Sequence, residues 1–358
     1  MLRRIALPRA AVILAACAAV AALAAPQAAA QAPKPAVTCA TCHAAVVASY
    51  SHAGMRHAME PAGSNPVLDT HGTLAGQVGK YAYTVQKKDG QALYTVTDGS
   101  DSMTLPIRWM FGQHSQTWVL EKDGHLYESL VSYFPALGGL GTTPGDDKLA
   151  PTNLTEAMGR KLSTWETLQC FTCHASGAVD GVKLTLDKLK PGLDCEHCHV
   201  GAELHRSDAA NDNFKTLPPA LKKMDSEEIS SFCGQCHRTF DIVARNHWKG
   251  PAFVRFQPYR LENSRCFVGN DPRISCLACH NPHEPVKHDT AFYDSKCLAC
   301  HAAQNIAAHA SPTAAKICPV AKANCTSCHM PKVDLPGGHA PFTDHMIRIA
   351  RAGDPYPN

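Results

Sequence analysis

Fourteen of the seventeen cysteines fall into seven copies of a single pattern, Cys-x-x-Cys-His. The copies are Cys39, Cys42 and His43; Cys170, Cys173 and His174; Cys195, Cys198 and His199; Cys233, Cys236 and His237; Cys276, Cys279 and His280; Cys297, Cys300 and His301; and Cys325, Cys328 and His329. Two thiols at this spacing add to the two vinyl groups on one edge of a porphyrin, and the adjoining histidine swings under the ring to offer its imidazole to the iron. Each copy therefore reads as a haem c attachment site, and seven covalent haems are expected. Zinc would call for paired Cys-x-x-Cys units without an obligatory following histidine.

Once the motif histidines are assigned as proximal ligands, thirteen of the twenty histidines remain. A bis-histidine set would draw seven distal ligands from them. His205 follows its motif too closely to curl back onto its own haem, but it is placed to reach a neighbour's iron. His283, stiffened by Pro282, is in the same position. His339 and His345 follow the last motif and His57 follows the first, so these five are the distal candidates. His114, His247 and His309 come next, then His52, His71, His125 and His288, while His197 is enclosed within its own motif; for each of these eight an exposed imidazole or one bonded to a propionate is favoured over ligation. Met55, Met59 and Met330 lie near motifs, and for them packing beside a porphyrin is favoured over ligation.

Arg3, Arg4 and Arg9 precede an alanine-rich run from Ala10 to Ala24, the pattern of a secretory leader over residues 1–30 with cleavage after Ala30. A lipoprotein anchored through Cys17 is the less favoured reading, because the apolar run continues past that cysteine. A periplasmic or extracellular protein is expected. Removing the leader leaves 31 acidic side chains balanced by as many lysines and arginines, so composition offers no basic patch for nucleic acid. Each ferric bis-histidine haem adds about one negative charge through its propionates, which makes the loaded protein about seven units negative and favours redox partners with basic rims. Cys266 and Cys318 stand outside the motifs. In an oxidising compartment they are expected to pair, with two buried free thiols as the alternative.

The interval between the first and second motifs is far longer than any other. Within it YAYTV, ALYTV, TLPIRWMF and TWVLEKDGHLYESLVSY alternate and are separated by turn signals, so an antiparallel meander of four to six strands is expected. Its aromatic residues, Tyr81, Tyr83, Tyr94, Trp109, Trp118, Tyr127 and Tyr133, are expected to pack against sheet or haem. From Thr152 onward helix and loop predominate. Asp225 with Glu228 forms a capping pattern, and helical periodicity follows to Arg245. The expected fold is mainly α with long loops and a small antiparallel β insertion between the first and second motifs. Its segments are the leader (1–30), a first haem segment (31–65), the β-rich insertion (66–150), a six-haem helical region (151–350) and a C-terminal tail (351–358).

The segments GLDCEHCHVGAELH, VRFQPYRLENSRCF, ISCLACHNPHEP and CTSCHMPKVDLPGGHAPFTDHMIRI resemble exported multihaem cytochromes c. Their superfamily includes hydroxylamine oxidoreductase, its tetrahaem cytochrome partner and pentahaem nitrite reductase. The likeness spans roughly residues 38–350 and is strongest in the motifs. It implies a mostly helical fold with closely stacked haem pairs, and by motif position it supports distal roles for His205, His283 and His345. The chain departs from those enzymes in having no Cys-x-x-Cys-Lys motif, no eighth haem and no counterpart of the nitrite reductase Arg, Tyr and His set. No catalytic residue is therefore assigned. Electron transfer between periplasmic or membrane-surface redox partners is the leading expectation. The competing one is an oxidoreductase acting on a small nitrogen or sulfur compound at a five-coordinate haem. A homo-oligomer or a larger cytochrome complex is a third arrangement compatible with the sequence.

Overall fold

Two Asp-Gly pairs set the hand of two hairpins in the sheet. Asp89-Gly90 and Asp123-Gly124 all have positive φ, between 51° and 77°, the type I′ geometry whose twist matches that of the strands it joins. The computed structural model describes residues 36–64, 66–113, 115–302 and 317–357. The leader, His114 and His309 lie outside the described residues.

The strands are β1 (Met59–Pro61), β2 (Thr73–Val78), β3 (Tyr81–Lys88), β4 (Gln91–Thr97), β5 (Ser102–Phe111), β6 (Thr117–Lys122), β7 (His125–Ser129), β8 (Val131–Phe134), β9 (Gly139–Thr142) and β10 (Gly159–Lys161). Eight of them form one antiparallel sheet in the order β10-β7-β6-β5-β4-β3-β2, with β1 paired to the end of β5. β5 bends at a register shift between Ile107 and Trp109. Its first half pairs with β4, and Trp109–Phe111 pair with Pro61–Met59 where β4 has ended.

The sheet curls. The β8–β9 hairpin bridges its two flanks, with Tyr133 paired to Gln116 ahead of β6 and Leu140 set against Gly76 of β2. A Cβ on Gly76 would lie 2.8 Å from that of Leu140, so a side chain there would push the hairpin away. Alternation along β3 and β4 sends Tyr81, Tyr83, Val85, Ala92, Tyr94 and Val96 into one core with Trp118, Leu120, Tyr127 and Tyr133. A second cluster joins Trp109, Val119 and Met59 to Phe171, and so fastens the sheet to the helix carrying the second motif.

The expectation of a mainly α fold is overturned by this sheet, which also reaches beyond both ends of the 66–150 segment. Its two outermost additions, β1 and β10, are three-residue strands with too little alternation to announce themselves. The helices of the motif region are short, twelve residues at most among those described.

Asp146, buried after β9, sits 3.6 Å from the Arg160 guanidinium on β10. Burial, reinforced by Glu128, pushes its carboxyl up to about 6 from 3.8. The folded state thus holds this proton more tightly than the unfolded chain, and stability falls as pH rises from about 4 to about 6. Asp146→Asn should remove this dependence. It should also raise stability at pH 7 by about 1–2 kcal/mol, read as the difference between urea midpoints at pH 4 and pH 7. Arg160 keeps Glu128 and Glu166 as partners in the variant.

Candidate haem sites and their mutual geometry

Residues at i, i+3 and i+4 share one helix face, so a helical turn presents both thiols and the histidine of a motif on the same side. The two thiols of every motif lie on such turns, and His174, His237, His301 and His329 continue them, whereas His43, His199 and His280 leave the helical conformation. The motifs occupy the start of Cys39–Tyr50, the ends of Thr164–His174, Ser226–His237 and Thr290–His301, and the short helices Cys195–Cys198, Cys276–Cys279 and Cys325–His329. Polar residues fix where most of these turns begin. Ser163 with Glu166 and Asp225 with Glu228 form capping boxes, while Asp194, Ser275 and Asp289 cap three more. The helix expected from Asp225 to Arg245 is two helices. Arg238 takes φ 69°, and Thr239 folds back against Gly234, where a Cβ would meet its Cγ2 at 2.5 Å. The break leaves His237 at the end of the first helix.

Asp294, which sequence reasoning missed, joins the sixth motif to the seventh. From within Thr290–His301 it accepts hydrogen bonds from the Asn324 amide (2.7 Å) and the Cys325 amide (2.8 Å), and these hold its carboxyl below the usual range. An acidic residue just ahead of a motif cysteine carries no sequence signal for this role.

The motifs also touch one another. Thiols of different motifs meet within hydrogen-bonding reach at Cys39 and Cys195, Cys173 and Cys236, Cys233 and Cys276, and Cys297 and Cys325. Cys198 lies close enough to Cys233 and Cys236 to raise both thiols electrostatically, and Cys297 does the same to Cys279. In space the order is first, third, fourth, fifth, sixth, seventh, with the second motif branching from the fourth. Cys42 and Cys328, the two exposed motif cysteines, belong to the first and seventh, at opposite ends of that order.

Among the described residues His174, His205, His329 and His345 anchor Nδ1 on a backbone carbonyl, which leaves Nε2 to face a metal: His174 to Ala58 (2.7 Å), His205 to Thr216 (2.7 Å), His329 to Arg348 (3.0 Å) and His345 to Thr343 (3.0 Å). Burial drives His345 down to about 4, so its imidazole is neutral near neutral pH. Two imidazoles bound through nitrogens about 2 Å from one metal have ring centres about 6 Å apart. His199 and His283 are 5.9 Å apart with planes 4° from parallel, and His280 and His345 are 6.2 Å apart. Tyr50 meets His283 edge-on at 6.2 Å and donates its hydroxyl to the Leu193 carbonyl.

The other distal candidates are placed differently. His57 directs both ring nitrogens at protein oxygens, the Glu60 carboxylate and the Ser51 carbonyl. His339 is exposed and packs edge-on against Phe134 at 4.7 Å. His71 bonds the Tyr133 hydroxyl, and Met59 is buried between Trp109 and Phe171. The disulfide expected between Cys266 and Cys318 is not formed: both are free thiols, and Cys266 lies near Cys297 and Cys300 of the sixth motif.

The surroundings suit porphyrin. Both apolar clusters are drawn from residues 59–189. Beyond Cys195, buried apolar side chains such as Ile229, Val243 and Val254 are scattered, whereas Val200, Leu204, Phe214, Leu217, Trp248 and Val286 are exposed. Free paired thiols, imidazoles at ligand separation and uncovered apolar side chains fit haem c in both chemistry and shape.

Residues 147–200, which carry the second and third motifs, match the family described as cytochrome c554 and c-prime. No match was found among curated proteins or among solved structures. The matched segment supports placing the chain with the multihaem cytochromes c, which bind haem covalently and serve electron transfer.

Proposed function

We propose that this chain is an exported heptahaem cytochrome that conducts electrons through closely spaced, mostly bis-histidine haems. The observation that carries this reading is the succession of neighbouring motifs from the first to the seventh, with exposed cysteines at both ends. When bound, haem c supplies one-electron chemistry between ferric and ferrous iron. The chain's own residues hold that chemistry in place. His43, His174, His199, His237, His280, His301 and His329 are the proximal ligands, each fixed next to the thiols that tether its haem. His283 and His345 complete two pairs, opposite His199 and His280.

The carbonyls of Ala58, Thr216, Arg348 and Thr343 orient imidazoles through Nδ1 and would hold these rings in place toward a bound haem iron. The leader at residues 1–30 supports export to the periplasm or beyond. The negative charge added by the propionates supports partners that dock through basic rims.

Potentiometric titration followed by electron paramagnetic resonance tests this proposal. The expected result is seven haems with low-spin signals indifferent to nitrite, hydroxylamine and sulfite. A high-spin signal that shifts on adding one of these would overturn it in favour of an enzyme.

A further inference from the structure

Every residue from Asp344 to Arg348 is tied down by hydrogen bonds. Asp344 is fully buried and receives both arms of the Arg260 guanidinium, Nε at 2.8 Å and Nη2 at 2.9 Å, while Arg348 Nη1 donates to the same carboxylate at 2.6 Å. Asp344 also accepts from the Met346 amide (3.0 Å), and its own amide donates to the Pro331 carbonyl (2.9 Å). Ser264, one turn beyond Arg260, donates to the His345 carbonyl (3.2 Å) and accepts from the Ile347 amide (2.7 Å). The third arm of Arg260 reaches the Pro357 carbonyl at 2.8 Å, and its guanidinium lies 4.5 Å from the Tyr356 ring. The C-terminal tail is therefore part of the same assembly.

Arg348 extends it to a second site. Its carbonyl accepts from His329 Nδ1 at 3.0 Å, and its amide donates to the His329 carbonyl at 3.1 Å. One buried ion cluster thus governs the distal candidate of the fifth motif and the proximal histidine of the seventh.

We infer that Arg260 is a positioning residue which, through the Asp344 carboxylate, fixes two iron ligands on different haems: His345 opposite His280, and His329. The inference rests on reading His280 and His345 as an axial pair. A buried ion pair is an inefficient source of stability, since apolar replacements often do as well, but its bidentate geometry admits a single arrangement. Lysine would keep the charge and lose the fork.

The test compares the holoprotein with its Arg260→Met, Arg260→Lys and His345→Ala variants by electron paramagnetic resonance and spectroelectrochemistry. His345→Ala should convert one haem from low to high spin. Arg260→Met should convert that same haem and shift the midpoint potential of one other, leaving five unchanged, and Arg260→Lys should restore neither. If His345→Ala converts a haem while Arg260→Met leaves every signal and potential in place, the positioning role is wrong and the axial pair stands. If His345→Ala changes no haem, the axial pair itself is wrong. Should Arg260→Met fail to accumulate, Asp344→Asn weakens the same hub by removing the charge that Arg260 and Arg348 share, and it is expected to broaden or shift the same two signals. An unchanged spectrum in that variant would likewise overturn the role.

Discussion

Produced in cells without haem-attachment machinery, the chain is expected to lose residues beyond Cys195 rapidly to limited proteolysis while the curled sheet resists. The two halves have different sources of cohesion. Residues 59–189 bury tyrosines, tryptophans and branched side chains against one another, so the sheet has a core of its own. Beyond Cys195 the uncovered side chains include Val200, Leu204, Phe214, Leu217 and Val286, each more than half exposed. Covering a large apolar side chain contributes roughly 1.5–3 kcal/mol, more than enough over several residues to decide whether a region of this size folds. Porphyrins are the apolar surface available to cover them. Mass mapping of the surviving fragment should place its boundaries near 59 and 190. A haem-free chain that resists cleavage uniformly would show that the polypeptide carries the second half unaided.

His283→Ala is expected to turn one haem, and only one, from low spin to high spin. The ring of His283 lies 5.9 Å from that of His199 and nearly parallel to it, so on the proposed pairing the alanine variant would open one axial position at a haem tethered by Cys195 and Cys198. Carbon monoxide should then bind that ferrous haem in a one-to-one ratio, and its potential should move because an axial ligand is a principal determinant of haem potential. His57→Ala and His339→Ala serve as controls. Both nitrogens of His57 are engaged by protein oxygens and His339 is exposed against Phe134, so neither variant should change a spin state. A His283→Ala protein that remains fully low-spin would move the sixth ligand of that haem elsewhere.

The attachment chemistry was legible because it is local: five consecutive residues contain everything needed to recognise each motif. Six strands, β3 to β8, were legible for a similar reason, since alternation and Asp-Gly turns are short-range signals. β1 and β10 were not, because their place depends on partners distant in sequence, Phe111 for Met59 and Ser129 for Gly159. The capping box at Asp225 was visible, yet the break at Arg238 depends on Thr239 closing over Gly234, which periodicity does not encode. The axial geometry belongs to the same class. Proximity to a motif ranked His57 and His283 together, and only the folded chain distinguishes a ring facing another imidazole from one held by Glu60 and Ser51.

The fourth motif neighbours the second, third and fifth, so the order of motifs has three ends instead of two. Two ends carry the exposed Cys42 and Cys328, and the third lies next to Trp165, two-thirds exposed on the helix of the second motif. A forked line behaves unlike a single file of carriers. Traffic from two donors can merge at the fork and leave by one outlet, or one donor can supply two acceptors, and occupation of one terminus leaves a route open between the others. With the proposed haems in place, an electron entering at any terminus would have two others by which to leave.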